Sequence, residues 1–411
     1  MKQAANLLPV QCVASISPMK TSSQMLPLLK WLKAREAAMT RLLGKFVRAE
    51  SPSFDKAAVD RFGRMVAEEW GRRGAKVARL KQRERGDHLR VEWNPRGNRT
   101  KRQILVLGHM DTVYGAGTLA RMPFRLSKGR AYGPGAFDMK GGLVIALFAM
   151  DALVAAGRAP ERSIVFLWTS DEEIGSGTSR AAVEREARRS NAVLVLEPAA
   201  GLDGRVKTGR KGVGEIEIIA TGRAAHAGLN PEDGVNAIEE IALQIARFSR
   251  WNRPGRRITV NAGVIEGGTR TNVIPEKARV AVDIRAARAA DMRALERKFR
   301  ALRPILRGAK LQIRGGFSRP PMERKAAAAL YASARTVALE MGIPLGEAHV
   351  GGASDGNFTA ALGVPTLDGL GAVGEGAHSP DENIRIRALP ERAALLAGLL
   401  ADAADFHLRN A

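Results

Sequence analysis

An α/β fold is predicted, with a mostly parallel sheet covered by helices on both faces and a smaller α+β domain inserted into it. Three features of the sequence carry that expectation. Short, continuously apolar runs recur along the chain, as strands buried on both faces require. Helical patterns separate them, the order that delivers parallel strands. From about 212 to 324 the rhythm changes to strands that alternate in polarity. The 411 residues also exceed the size at which one core stops growing, about 250–300 residues, so two cores are expected.

Residues 1–25 hold an apolar patch broken by Asn6, Pro9 and Gln11 and lack a small-residue cleavage site, which reads as a disordered extension or an upstream start. The buried strands follow: "ILVLG" at 104–108, "SIVFLWTS" at 163–170, "AVLVLEP" at 192–198 and "GVPTLDGLG" at 363–371. Between the first two, Met139–Ala156 is helical in composition and stops at Gly157, where a left-handed residue would close it. The central region then reads β-α-β-β-α-β, the split arrangement of ferredoxin-like domains. Its elements are "GEIEIIATG", a helix with Val235, Ile238, Ile241, Ala242, Ile245 and Phe248 on one face, "RITVNAGVIEG", "KARVAVDIRA", the helix "AADMRALERKFRALRPIL", and "KLQIRGGF". The chain is helical again from Glu323, then yields a strand and a final helix near 389–405; the large domain takes residues 26–211 and 325–411, with the insert at 212–324.

Composition narrows the function. Lys and Arg total 65 against 42 Asp and Glu, a formal charge of +23 that favours anionic partners. The basic residues are dispersed in short groups such as "GRRGAK" and "KQRER", and only three Tyr are present to stack bases, so no specific nucleic-acid role is expected. No apolar run approaches the ~18 residues that cross a bilayer, so no membrane partner is expected either. Cys12 is the single cysteine, which excludes an intrachain disulfide and points to the cytoplasm.

In open α/β sheets, ligands sit at the C-terminal ends of strands. His109 and Asp111 follow the first apolar run, Asp171, Glu172 and Glu173 the second, and Glu197 ends the third; His378 lies in the loop after the fourth. Asp138, in "YGPGAFDMKGG", opens the long helix, where the helix dipole favours a carboxylate. Taken singly, each has a plain alternative as a solvated loop residue, a helix cap or a strand end. Together they bring two imidazoles and several carboxylates to one sheet edge, a mixed nitrogen and oxygen set suited to zinc or a similar divalent ion.

The series "GHMDTV", "GPGAFDMKGG", "TSDEEIGS", "VLEP", "GRAAHAG", "RTNVIP" and "GAHSPDE" resembles, in order, the motifs of the co-catalytic zinc aminoacylase and carboxypeptidase family, over roughly residues 28–405. That family includes glutamate carboxypeptidase, aminoacylase, acetylornithine deacetylase and succinyl-diaminopimelate desuccinylase. The resemblance implies two zinc ions per chain, with cobalt or manganese as substitutes, sharing Asp138. One would add His109 and Glu197, the other Glu173 and His378. Asp111 would hydrogen-bond the second nitrogen of His109, and Glu172 would be the general base. His226 matches a residue that in dimeric relatives reaches the partner's site and stabilises the oxyanion, which implies a homodimer through an inserted lid. Asn272 and Arg285 match positions that bind the substrate's terminal carboxylate, with Arg319 a further candidate.

The implied activity is hydrolysis of a peptide or N-acyl bond beside a free carboxylate, with a glutamate carboxypeptidase ahead of an N-acyl-amino-acid deacylase. The substrate would be a small peptide or N-acyl amino acid. A catalytically inactive binding or dimerisation homologue is the reading from another class, and the presence of all five ligands and the base argues against it. Closure of the insert about hinges near 210–214 and 320–325, and a cis bond at Asp138–Met139, are further expectations from the resemblance.

Overall fold

Three amphipathic helices, α1 (Met25–Lys33), α2 (Glu36–Arg48) and α3 (Lys56–Gly71), open the described part of the chain. The structure is a computed structural model that describes residues 25–94, 102–160 and 162–401. Cys12 and, apart from Met25, the expected extension lie outside the described residues. The strands β1 (Lys76–Leu80), β2 (His88–Trp93), β3 (Gln103–His109), β4 (Ile164–Thr169) and β5 (Ser190–Val195) follow, with α4 (Gly141–Ala155) before β4 and α5 (Arg180–Arg188) before β5. With Thr366–Leu367 they form one sheet in the order β1-β2-β4-β3-β5-Thr366–Leu367. Its centre is parallel. At one edge β1 and β2 run antiparallel, a departure from the alternating pattern, because these strands alternate in polarity and face solvent on one side.

The period-two geometry of strands explains why the central runs are wholly apolar. Ile104 and Val106 of β3 point into one core with Phe166 and Trp168, while Leu105 and Leu107 point into the other with Ala182, Val183 and Ala187 of α5. Helices therefore cover both faces. In the larger core Trp70 of α3 packs on Phe166, with ring centroids 4.2 Å apart. Burying a side chain the size of Phe166 contributes about 1.5–3 kcal/mol. α4 has almost no polar face and lies against the last helix, Ala388–Ala401.

The insert is a second sheet. β6 (Gly212–Thr221), β7 (Thr259–Gly267), β8 (Lys277–Ala286) and β9 (Lys310–Arg319) pair antiparallel in the order β7-β8-β6-β9, with α6 (Ala237–Ser249) and α7 (Ala289–Arg300) packed on it. It has its own core of Ile216, Ile218, Val280, Val282, Ile284, Phe248 and Phe299. α6 starts where the Asn236 side chain accepts from the backbone N–H groups of Ile238 and Glu239. The two connections to the large sheet run side by side, since Arg210 and Met322 exchange backbone hydrogen bonds of 3.0 Å in both directions.

Three strand and helix ends fall short of the sequence expectation, and two of the shortenings, at β5 and at the long helix, free a candidate ligand. β5 stops at Val195, so Glu197 stands in the following loop. Only Thr366 and Leu367 of the expected 363–371 strand pair. The long helix starts at Gly141 rather than Met139, because Asp138 (φ −116°, ψ 94°) lies in a preceding turn whose Asp138–Met139 bond is cis.

Candidate metal centre

β3 delivers His109 with 1% of its surface exposed, and Gly108 beside it leaves room for Met139, whose terminal methyl would lie 2.6 Å from an added Cβ. The His109 backbone N–H points at the Met139 sulfur, 3.2 Å away. The His109 Nε2 lies 3.2 Å from Asp138 Oδ1 and 3.5 Å from Glu197 Oε1. On the other side of Asp138, His378 Nε2 is 3.4 Å from Oδ2 and 3.2 Å from Glu173 Oε2. Asp138 thus stands between two imidazoles, each backed by a further carboxylate. His109, Asp138 and Glu173, and separately His109, Glu172 and Glu197, bring one ligand atom each within 4.8 Å of one another.

The electrostatics of this cluster fit divalent cations. Burial pushes the carboxyl of Glu173 up to about 7 and that of Glu197 up to about 8, with repulsion from Asp138 adding to both. Against its own burial, hydrogen bonds from His109 and His378 hold Asp138 well below the carboxylate range. Hydrogen bonds to Asp138 and Glu173 raise His378 to about 10. Glu173 Oε1, moreover, is a buried acceptor with no hydrogen-bond partner among the described residues, a costly state that a cation would relieve.

Asp111 supports this arrangement differently from the expected contact. Its own carbonyl oxygen, 2.9 Å away, is the nearer partner of His109 Nδ1, and its carboxylate lies at 3.5 Å. The carboxylate is drawn instead to three donors: Ser53 Oγ at 2.8 Å and the backbone N–H groups of Glu172 and Glu173 at 3.3 Å each. It therefore fixes the turn that carries both glutamates.

Arg319 is not free to bind a substrate carboxylate in this structure. Its Nη1 donates to Glu172 Oε1 at 2.5 Å, and its Nη2 to Ser176 Oγ at 2.6 Å and the Glu172 carbonyl at 2.9 Å. A buried guanidinium beside a buried carboxylate pairs with it rather than remain unmatched. Arg285 is also engaged, by Asp283 (2.9 Å) and by the Gly351 carbonyl (3.0 Å), which links the insert to the large domain. His226 is exposed, its Nδ1 accepting from the N–H groups of Gly228 and Leu229 at 3.1 Å. Asn272 is exposed as well. Neither joins the cluster within one chain.

Two supports escaped the sequence reading. Glu382 accepts from the backbone N–H groups of Gly135, Phe137 and Asp138 at 2.8–2.9 Å and so holds the turn of Asp138; it is the last residue of "GAHSPDE", where it could have been noticed. Arg210, left unassigned near the hinge, is buried, forks onto Asp368 at 2.7 and 3.0 Å, and reaches Glu197 Oε2 at 3.2 Å.

Residues 105–402 match the model of Peptidase family M20/M25/M40. The chain is 32% identical over 376 residues to carboxypeptidase G2 of Pseudomonas sp. (strain RS-16), covering 89% of each chain. It is 29% identical over 327 residues to succinyl-diaminopimelate desuccinylase of Dechloromonas aromatica (strain RCB), covering 75% of this chain and 85% of that one. Its fold is similar to that of aminopeptidase PepT from Bacillus cereus, with a TM-score of 0.76 at 22% identity over 90% and 99% of the two chains. It is also similar to the YXEP protein of Bacillus subtilis, a dinuclear metal-binding peptidase of the M20 family, with a TM-score of 0.64 at 14% identity over 91% and 99%.

Proposed function

Because the chain belongs to peptidase family M20/M25/M40 and is a hydrolase acting on amide bonds, we propose that it is a dinuclear zinc enzyme cleaving a peptide or N-acyl bond next to a free carboxylate, in the manner of a glutamate carboxypeptidase. One observation carries this reading: His109, Asp138, Glu173, Glu197 and His378 converge on one cluster in which Asp138 is shared and Glu173 Oε1 has no hydrogen-bond partner among the described residues. His109, Asp138 and Glu197 would hold one ion, and His378, Asp138 and Glu173 the other. When bound, such a pair lowers the pKa of water toward neutrality and polarises the scissile carbonyl.

The chain's own residues do the rest. Glu172, beside the ligand Glu173, takes a proton from the attacking water and delivers it to the leaving amine. For that it must part from Arg319, whose Nη1 now occupies its Oε1. β9 carries Arg319, so movement of the insert would release the base. Arg285 and Asn272 would then take the terminal carboxylate, for which the guanidinium fork is suited. The likeness to carboxypeptidase G2 favours glutamate as the residue released, and deacylation of an N-acyl amino acid, which the desuccinylase relative performs by its name, is the second reading. A homodimer paired through the insert and a cytoplasmic location complete the proposal. No helix among the described residues is long and apolar enough to cross a membrane.

Metal analysis after zinc loading, joined to a hydrolysis screen of dipeptides and N-acyl amino acids with glutamate and other ends, tests the reading. About two ions per chain and turnover that disappears on chelation are expected. Zinc-loaded protein that holds no metal would overturn it.

A further inference from the structure

His88, the first residue of β2, is fully buried and is no member of the metal cluster. β2 pairs with β4, Leu89 opposite Trp168, which carries the ring to the end of β4, where Ser170 and Asp171 lead into the turn of Glu172 and Glu173. Its Nδ1 is 2.8 Å from Ser170 Oγ and its Nε2 is 3.2 Å from Thr178 Oγ1. The Ser170 hydroxyl donates to the Gly86 carbonyl, and a hydroxyl has one proton to give, so Nδ1 is the donor to Ser170. Burial lowers the pKa of the imidazole, which leaves the ring neutral at pH 7 with that one proton. Nε2 is then an acceptor facing Thr178.

Thr178 passes the contact on to Asp171. Its hydroxyl and its backbone N–H lie 2.8 and 2.6 Å from Asp171 Oδ2, to which Ser179 N–H adds a bond of 3.4 Å. The one Thr178 hydroxyl proton thus stands between two acceptors, Asp171 Oδ2 and His88 Nε2. The Asp171 carbonyl accepts from Ser176 N–H at 2.8 Å, so Asp171 closes the loop 171–179 on itself, and His88 fixes the closed loop to β2. Glu172 and Glu173 sit within that loop. The His88 end is itself tied down: Lys56 of α3 donates to Asp87 Oδ1 at 2.9 Å and to the Arg85 carbonyl at 3.0 Å. Gly86 permits the close approach, since an added Cβ would come within 2.3 Å of Val59 Cγ1 and 3.2 Å of Ser170 Cβ.

Resting on the amidohydrolase reading, we infer that His88 is a positioning residue for the reaction. Through Thr178 and Asp171 it sets where the carboxylates of Glu172 and Glu173 stand relative to Asp138 and His378, without itself touching substrate or metal. A displacement of about 1 Å in a reacting group costs on the order of 10²-fold in rate, and loss of a group that orients a ligand costs about 10–100-fold in metal affinity. A buried imidazole two contacts away therefore acts on both the base and the ion held by Glu173.

Two substitutions separate the ring nitrogens. His88→Gln keeps an amide near the position of Nε2 and so the Thr178 contact, whereas His88→Asn keeps one near Nδ1 and only the Ser170 contact. With zinc-loaded enzyme and an N-acyl amino acid or dipeptide that the wild type hydrolyses, His88→Asn is expected to lose about 10–100-fold in kcat at little-changed KM, and His88→Gln to recover most of it. Zinc titration calorimetry should show one of the two affinities, that of the ion on Glu173, weakened about 10-fold or more in His88→Asn, and the other unchanged. Thr178→Val, a change at an exposed residue that keeps the side chain's shape, should reproduce both losses with His88 in place. Equal kcat in His88→Asn and His88→Gln, or wild-type kcat and zinc affinities in Thr178→Val, overturns the assignment and leaves the amidohydrolase reading intact. If the wild type hydrolyses none of the compounds screened, that reading fails, and the zinc titrations alone decide the positioning role.

Discussion

Glu197 shows how one carboxylate is divided between two tasks. Its Oε1 faces His109, while its Oε2 is occupied by Arg210, whose other nitrogens are committed to Asp368 and to the carbonyls of Gly352 and Ala353. The guanidinium therefore decides which oxygen is offered to an ion. Arg210→Met should lower the affinity of one of the two ions by about 10–100-fold, the usual cost of removing a group that orients a ligand. Metal titration calorimetry reads this directly, and two unchanged affinities would show that Glu197 needs no such brace. Glu172 gives the opposite expectation. As proposed base it binds no ion in the two sets built on Asp138, so Glu172→Gln should keep its metal while turnover falls ~10²–10⁴-fold. Loss of metal together with activity would instead make Glu172 a ligand, a role its place within 4.8 Å of His109 and Glu197 makes worth checking.

Among the elements, the last helix, Ala388–Ala401, braces the glycine loops beside Glu197. Arg392, buried within this helix, donates to the carbonyls of Gly371 (3.0 Å), Gly204 (3.0 Å) and Gly369. Burial lowers its pKa to about 10, so it stays charged at neutral pH and its bonds are charge-assisted. Gly371 in turn lies so close to the Glu197 loop that an added Cβ would come within 2.2 Å of the Leu196 carbonyl oxygen. Arg392→Met should cost about 1–3 kcal/mol of stability per carbonyl left unpaired, measured as a lower denaturant midpoint; an unchanged midpoint would mean that water replaces the guanidinium. Such supports explain which parts were legible in the sequence. β3, β4 and β5 announce themselves because both faces are buried, and the metal-facing residues follow because strand ends aim them together. α3 carries the helical spacing of Val59, Phe62, Val66 and Trp70 among charged residues, a signal present but diluted by its solvent face. Arg210 and Arg392 could not be read at all. A lone arginine between glycines or in a helix looks solvated, and the partner that buries Arg210 lies 158 residues further on.

At the scale of the molecule, the two sheets have separate cores and are joined by backbone at Arg210–Gly212 and Arg319–Met322. Side chains add Arg319 on Glu172 and Arg285 on Gly351. The conformation described here therefore couples the insert to the catalytic base, yet leaves His226 exposed and outside the metal cluster of its own chain. β7, at the edge of the insert's sheet, exposes Val264 and Ile265 at 50% and 54%, a surface on which a second copy could extend the pairing. If the proposed homodimer forms and His226 serves the partner's site, then mixing two inactive variants should recover activity. A His226→Ala subunit keeps its own Glu172, and a Glu172→Gln subunit supplies the missing imidazole. Only the first subunit's site is then complete in a mixed dimer. Random exchange should accordingly yield about a quarter of the wild-type rate per subunit, since half the dimers are mixed and each has one working site. Recovery that rises with the mixed fraction, followed by native mass spectrometry, would establish action across subunits. If verified mixed dimers stay as slow as the parents, the histidine acts within its own chain after a larger swing of the insert, or not at all.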